Sequence, residues 1–282
     1  MDSRYIRKAF SKIPGLSELS RRAQRRKRAR SYYLPTTRRI NNWARKKTES
    51  SNFYYELTED NKADLAALIS VVTKTSIVVI ENFFKELDND TLLRTHIEDS
   101  WAHNSQMADA KVAYARRIGW YVLTRILKPK IVIETGVHQG VGACVITSAL
   151  IKNSYEGHPG RYLGIDIDRN AGQLLKYPYS EFGTLIYGNS LDCLNALDES
   201  VDLFINDSDH NSEYEKQEYA TVINKLSDTC VILGDNCHAS GALRDFSRKN
   251  DRNFLFFKEI PADHWYPGAG IGFSYKSLET GS

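Results

Sequence analysis

From residue 106 onward, short β-branched segments alternate with longer segments of helical character, and this alternation limits the fold more than any other feature of the chain. Near-continuous apolar segments of this kind are typical of strands buried on both faces of a parallel sheet. Their alternation with helices predicts a doubly wound α/β sheet of Rossmann-like form. The predicted strands are Ile131–Glu134, Tyr162–Asp166, Thr184–Tyr187, Val201–Asn206 and Cys230–Gly234.

Two further apolar segments predict how the sheet ends. Phe254–Ile260 and Ile271–Tyr275 flank a loop that is rich in proline and glycine and has no helical pattern. Two strands joined without a helix favour an antiparallel hairpin. The sequence therefore predicts a mostly parallel, seven-stranded sheet with a C-terminal antiparallel hairpin.

Upstream of the sheet, the chain has two parts of helical character. Ala108–Leu127 predicts one long helix that ends at Lys128-Pro129, because the residue before a proline is disfavoured in helical geometry. Residues 51–105 contain several helical segments and no candidate chemistry, which predicts a cap or an interaction region. Whether the protein forms a homo-oligomer stays open.

The charge is distributed unevenly along the chain. Residues 1–48 contain sixteen basic and two acidic residues, a net charge of +14, whereas the remainder carries −11. Basic runs such as residues 21–28 are most often solvated, so residues 1–50 predict a flexible basic arm. Such an arm also suits an anionic membrane surface, nucleic acid or an organellar presequence, and composition alone does not choose among these.

The cysteines and the hydropathy pattern bear on the compartment. Cys144, Cys193, Cys230 and Cys237 have no C-x-x-C spacing, which favours a reduced protein. No apolar stretch reaches the roughly 20 residues needed to cross a bilayer, and no apolar signal segment stands at the N-terminus. The prediction is a cytoplasmic protein whose basic arm is available to a membrane surface.

A glycine-rich loop after the first strand is the sharpest local signal. The predicted strand ends in Glu134, and Gly136, Gly140 and Gly142 precede an apolar helix. Glycine allows a tight turn and a close approach of ligand to main chain at the carboxyl edge of a sheet. The spacing is not that of the dinucleotide fingerprint G-x-G-x-x-G. It resembles motif I, E/D-x-G-x-x-x-G, of the class I S-adenosylmethionine-dependent methyltransferases.

The resemblance extends over residues 106–275 and implies that residues 106–282 form a methyltransferase domain with S-adenosylmethionine as cofactor. Asp166, at the end of the second strand, would hydrogen-bond the ribose hydroxyls, with Asp168 as the alternative. Asn189 and Ser190 close the third strand, where this family contacts adenine. The implied cofactor-binding residues are Glu134, Gly136, Gly140, Gly142, Asp166, Asn189, Ser190 and Asp207.

The fourth and fifth strands end in residues that suggest a metal. Asp207 follows the fourth strand, and Asp235 and Asn236 follow the fifth. Two carboxylates and an amide oxygen suit Mg²⁺, although aspartate and asparagine are also common in turns after strands. The set resembles that of the metal-dependent O-methyltransferases of the catechol, caffeoyl-coenzyme A and macrolide-sugar types. By that resemblance Asp207, Asp235 and Asn236 are metal ligands.

A histidine is the predicted base. His210 stands three residues after Asp207, where the catechol type has lysine, and histidine is a competent base near neutral pH. That departure moves the expected substrate from catechols towards sugar or other alcohol hydroxyls. Ser212 and Glu215 match a capping box that would fix the loop. His238 and His138 are further candidates.

Three functions follow from these features. The first is a Mg²⁺-assisted O-methyltransferase that acts on a hydroxyl of a small molecule or glycan. The second is a metal-independent methyltransferase on the same fold. The third is a protein that binds nucleic acid or a membrane surface through its arm. The arm has few aromatic residues for base stacking (Tyr32, Tyr33 and Trp43), so nucleic-acid binding ranks last.

Overall fold

A computed structural model describes residues 14–46, 51–103, 107, 110–209 and 211–277. The chain divides into two compact units. The first consists of the residues up to Lys47 together with Asp263–Trp265, and the second contains the remainder.

The first unit is built on helix α1, Pro14–Trp43. Arginine, lysine and alanine are good helix formers, which explains why this highly basic segment forms a helix, and the flexibility of the arm stays a prediction. The carboxylate of Glu18 pairs with Arg21 at 3.1 Å and with Arg25 at 2.6 Å. These exposed pairs offset only a little of the repulsion among the basic side chains. The partner of this helix stays a prediction.

The second unit begins with helices that precede the sheet. Their bounds are α2, Glu59–Thr73; α3, Ile77–Asp88; α4, Thr91–Trp101; and α5, Arg117–Leu127. The Thr58 side chain caps α2, and the Asp90 side chain caps α4 by accepting from Leu93 N at 3.0 Å. Their buried apolar residues share one hydrophobic cluster with one face of the sheet, so residues 51–103 belong to the same core.

Helix α5 corrects one prediction. It begins at Arg117, not at residue 108, because Ala115 adopts a left-handed conformation with φ of 48°. The backbone N–H of Ala115 donates to the carbonyl of Tyr55 at 3.0 Å, so it does not form a helical hydrogen bond. A left-handed alanine cannot lie within a right-handed helix, so the helix restarts after it.

The sheet has seven strands in the order β3-β2-β1-β4-β5-β7-β6. The strands are β1, Ile131–Thr135; β2, Arg161–Asp166; β3, Gly183–Tyr187; β4, Val201–Asn206; β5, Leu226–Gly234; β6, Asn253–Lys258; and β7, Gly270–Tyr275. Strands β1 to β5 are parallel, and β7 runs antiparallel to both β5 and β6. The predicted Rossmann-like sheet with its C-terminal hairpin is confirmed.

Helices cover both faces of this sheet, as in a doubly wound fold. They are α6, Val141–Tyr155; α7, Ser190–Asn195; α8, Ser212–Val222; and α9, Ala242–Lys249. Helices α2 to α6 contribute to one hydrophobic cluster, and α7 to α9 contribute to a second. The strand order reverses between β1 and β4, which opens a crevice at their carboxyl ends. None of the described helices has both the length and the apolar character that a membrane span requires.

Candidate active site

A cavity of about 1370 Å³ lies at the carboxyl edge of the sheet, where the strand order reverses. This is the position at which doubly wound folds bind their ligands. It is lined from the strand ends by Gly136, His138, Asp166, Asn189, Ser190, Asp207, Asp235, Asn236 and His238. Residues from outside these strand ends, among them Phe53, Trp101, Arg116 and Tyr266, complete the wall.

Gly136 allows the loop after β1 to pass directly against the end of β4. Its φ is +86°, and a Cβ atom there would lie 2.0 Å from the carbonyl oxygen of Asp207. Its N–H donates to the carbonyl of Ile165 at 2.8 Å, which ties the loop to β2. No other residue fits this position without moving main chain, and the bare backbone lines the cavity.

The other two glycines shape the loop without lining the cavity. Gly140 has φ of +97° and precedes α6, and a Cβ there would lie 3.1 Å from the Cα of Gly172. A Cβ on Gly142 would lie 2.6 Å from the ring of Trp120 and 2.8 Å from Oε1 of Glu134. Both positions therefore require glycine for close packing beneath the loop.

Glu134 also lies beneath the loop rather than in the cavity wall. Its side chain is buried, and the hydroxyl of Tyr162 donates to its Oε2 at 2.5 Å. Burial raises the pKa of Glu134 to about 8. Its role as a cofactor ligand stays a prediction.

Asp166 closes β2 beside the glycine loop. Its Oδ2 accepts from the backbone N–H groups of Val137 at 2.8 Å and His138 at 3.1 Å. Its Oδ1 accepts from Asp168 N at 2.9 Å. The carboxylate thus holds the loop in place, and Oδ1 has accepting capacity left for a ligand hydroxyl. The Asp168 carboxylate, in contrast, accepts from the backbone and side chain of Asn170.

Asn189 and Ser190 lie where β3 meets α7. Asn189 caps that helix by accepting from Leu191 N at 2.9 Å, and its neighbour Ser190 shares a 2.8 Å hydrogen bond with the hydroxyl of Tyr214. Both line the cavity beside Asp166. Their predicted contact with adenine is thus compatible with their location.

At the ends of β4 and β5, a buried arginine forms hydrogen bonds with Asp235, one of the predicted metal ligands. The guanidinium of Arg116 donates from Nε and Nη2 to the two carboxylate oxygens of Asp235, and both side chains are buried. Burial alone would raise the pKa of Asp235, but the charge and hydrogen bonds of Arg116 outweigh it and lower the pKa. Burial and the neighbouring Asp235 charge raise the pKa of Asp207 well above its usual range.

A second buried carboxylate lies on the other side of the guanidinium. Oε1 of Glu259 lies 3.6 Å from Nη1 of Arg116, and the Tyr55 hydroxyl donates to Oε2 at 2.7 Å. Glu259 is fully buried. Arg116 therefore offsets the charge of more than one buried carboxyl group.

This arrangement does not fit the predicted Mg²⁺ site. Both oxygens of Asp235 already accept hydrogen bonds from a guanidinium, which would also repel a divalent cation placed beside them. Asn236 is buried, and its Nδ2 has no hydrogen-bond partner among the described residues. Within the described part of the chain, no cluster of three or more His, Cys, Asp or Glu side chains is arranged to hold a metal.

The predicted base, His210, lies outside the described residues. The helix after it begins at Ser212, but the cap is Asn211, whose Oδ1 accepts from Glu213 N at 2.9 Å. The predicted capping box is therefore wrong by one residue, because the Asn211 side chain takes the cap position and accepts from the backbone N–H groups of Glu213 and Tyr214. His238 and His138 both line the cavity, and burial lowers the pKa of His238.

Sequence reasoning missed several residues of the wall. Trp101 donates from Nε1 to Oε1 of Gln139 at 3.1 Å, and the ring centroids of Phe53 and His138 are 5.2 Å apart. Phe53 and Trp101 belong to the region in which no chemistry was expected.

The sequence contained one signal for Arg116, since Arg116-Arg117 is a pair of charged residues in an otherwise apolar stretch. Two adjacent arginines among apolar residues indicate buried charge that needs partners.

Solved structures with a similar chain trace include two O-methyltransferases. One is TomG from Streptomyces achromogenes, which is involved in tomaymycin synthesis and was solved in complex with SAM. It is 14% identical to this chain with a TM-score of 0.48, and the match covers 66% of this chain and 88% of TomG. An O-methyltransferase from Bacillus cereus in complex with SAH is 12% identical with a TM-score of 0.47, covering 77% and 99%. The fold described above rests on the strand order and not on these similarities.

A family comparison finds a similarity for the central part of the chain. No curated protein matches the chain. Residues 133–237 match the model of a family described as "Methyltransferase domain". The matched segment contains the glycine loop, Asp166, Asn189, Asp207 and Asp235, which all meet at the cavity or support it. The resemblance found in the sequence is thereby confirmed for residues 133–237, which are similar to a methyltransferase domain.

Proposed function

We propose that this protein transfers the methyl group of S-adenosylmethionine to a hydroxyl oxygen of a small molecule or glycan. The observation that carries the proposal is the cavity at the strand reversal, where the bare backbone of Gly136 and the carboxylate of Asp166 lie side by side. A nucleoside bound in such a crevice places its ribose on the acid at the end of β2.

The residues of the cavity fit this cofactor by their chemistry. Oδ1 of Asp166 would accept from a ribose hydroxyl, and Asn189 and Ser190 would line the adenine end. When bound, the cofactor supplies a methyl group on a positively charged sulfur: the acceptor oxygen forms a bond to the methyl carbon, the sulfur keeps the electron pair of the broken bond, and the hydroxyl proton is released. The main task of the protein is to position the acceptor oxygen.

The proton of the acceptor hydroxyl needs a base near the acceptor end of the cavity. His210 remains our candidate, and His238 is the alternative because it lines the cavity. The lowered pKa of His238 keeps its imidazole neutral at pH 7, the form that accepts a proton. Dependence on Mg²⁺ is not part of this proposal, because the donor set does not fit the ion.

Calorimetric titration with S-adenosylhomocysteine tests the cofactor site. We expect stoichiometric binding to the wild type and at least about tenfold weaker binding to Asp166→Ala, because a charge-assisted hydrogen bond to ribose is lost. Asp168→Ala is the matched control and should bind almost as well as the wild type. No binding to the wild type would overturn the proposal.

Asp166 also supports the glycine loop, so a second ligand separates the two roles. S-adenosylhomocysteine that lacks the ribose 2′-hydroxyl should bind more weakly than the complete compound to the wild type, but equally to Asp166→Ala. Equal loss of affinity in both proteins would show that Asp166 acts only on the loop, and would contradict its contact with ribose.

A further inference from the structure

The acceptor end of the cavity contains a fixed positive charge. Arg116 lines the cavity, is 6% exposed, and holds both oxygens of Asp235 with two N–H groups. Asp207, the other predicted metal-ligand carboxylate, also lines the cavity. The guanidinium thus already occupies both oxygens of Asp235, one of the carboxylates that the resemblance implied as metal ligands.

We propose that the guanidinium of Arg116 replaces the divalent cation in this protein and positions the acceptor oxygen for methyl transfer. This inference rests on the proposed function for the identity of the reaction. It assigns Arg116 a role that the glycine loop and the strand ends alone do not suggest. An arginine is always charged at physiological pH, so the positive charge needs no metal supply.

The local backbone holds Arg116 in this position. The left-handed Ala115 ends the extended segment before it, and α5 begins directly after it at Arg117. Arg117 is itself fixed, because its Nη1 donates to the carbonyl of Phe53 at 3.0 Å and its guanidinium lies 5.5 Å from the ring centroid of Trp120. A non-glycine residue in the left-handed region is strained, and such strain is common where a side chain must be aimed.

Two donors remain at this end of the cavity. Nη1 of Arg116 lies 3.6 Å from Glu259, which is longer than a hydrogen bond, and Nδ2 of Asn236 has no partner among the described residues. Both residues line the cavity. A guanidinium N–H that forms only a long ion pair and a buried amide without a partner both favour an oxygen that accepts hydrogen bonds, whereas a metal would need unoccupied oxygen ligands. The occupant that fits is the acceptor oxygen of the substrate.

Titration of the wild type with Mn²⁺, followed by electron paramagnetic resonance, tests the proposal without any change to the protein. Mn²⁺ is the probe because it prefers the same oxygen ligands as Mg²⁺. We expect no stoichiometric binding, with or without S-adenosylhomocysteine. Stoichiometric binding that is lost in Asp235→Asn would overturn the proposal. Binding of S-adenosylhomocysteine is measured on the same samples, so a failure of the proposed function is recognised separately.

Two variants of Arg116 complete the test. Arg116→Gln removes the charge and releases the oxygens of Asp235, so we expect Mn²⁺ to bind at least about tenfold more tightly than to the wild type. Arg116→Lys keeps the charge and should show no such gain. A folded Arg116→Gln that gains no Mn²⁺ affinity would overturn the replacement of the cation. If that variant does not fold, the wild-type titration decides alone.

Discussion

The two ends of the cavity are built in different ways. The end formed by β1, β2 and β3 consists largely of main chain: Gly136 brings backbone to the cavity, and the Asp166 carboxylate accepts from loop amides. The end formed by β4 and β5 depends on side chains from distant parts of the chain: Arg116 and Asp235 line it, and the fully buried Glu259 lies beside Arg116. The first end depends on backbone conformation, and the second depends on the balance of buried charges.

Gly136→Ala should break the main-chain end and cause the largest effect. The new Cβ would meet the Asp207 carbonyl at 2.0 Å, and the residue would keep a φ of +86°. Strain and overpacking together should lower the free energy of unfolding by roughly 3–5 kcal/mol. Urea denaturation measures this change, and titration with S-adenosylhomocysteine should show that binding is lost.

Gly157→Ala is the matched control for that variant. Gly157 has nearly the same φ, +85°, but a Cβ there would have no neighbour within 4 Å. It should cost only about 1 kcal/mol, the cost of the left-handed conformation alone. Equal costs at the two positions would show that crowding against β4 is unimportant.

The main-chain end is also the part that the sequence predicts well. A buried strand followed by glycines is a local pattern, and the predicted strand Val201–Asn206 agrees with the structure at both ends. The predicted fifth strand begins at Cys230, whereas β5 begins four residues earlier at Leu226, because Leu226–Thr229 are more exposed and less apolar than the rest of the strand. Local hydrophobicity identifies buried strands but not their exposed extensions.

The side-chain end could not be predicted in the same way. Arg116 lies 119 positions before Asp235, and no local pattern connects them. The sequence correctly predicts that Asp207 and Asp235 follow neighbouring strands, but not that an arginine from outside the sheet binds both oxygens of Asp235. The left-handed Ala115 that places this arginine results from a tertiary contact with Tyr55, which propensity does not encode.

Glu134→Gln tests whether the charge that Glu134 gains on deprotonation lowers the stability of the protein beneath the glycine loop. Burial raises the pKa of Glu134 to about 8, so the folded protein holds a proton that the unfolded chain releases near pH 4.5. Stability is therefore lost as the pH rises between these two values, and glutamine removes the loss. Between pH 6 and 8, the free energy of unfolding of the wild type should fall by roughly 2 kcal/mol relative to the variant. Urea denaturation at several pH values measures this difference, and parallel curves would contradict it.

The smallest expected effect is the difference between two tyrosine hydroxyls, that of Tyr55 beside the carboxyl groups around Arg116 and that of Tyr187 at the end of β3. Tyr55→Phe removes the hydroxyl that donates to Oε2 of Glu259, and the Glu259 side chain is fully buried. Tyr187→Phe removes a hydroxyl that donates to the carbonyl of Ala171 at 3.1 Å, and Tyr187 itself is 42% exposed. A buried carboxylate cannot replace its donor with water, so Tyr55→Phe should cost about 1–2 kcal/mol of unfolding free energy. Tyr187→Phe should cost less than about 0.5 kcal/mol, because its carbonyl partner is not ionised and water reaches its side chain. Urea denaturation of both variants measures the two costs. If they are equal, the carboxyl groups around Arg116 do not depend on buried donors, and the contrast between the two ends of the cavity is lost.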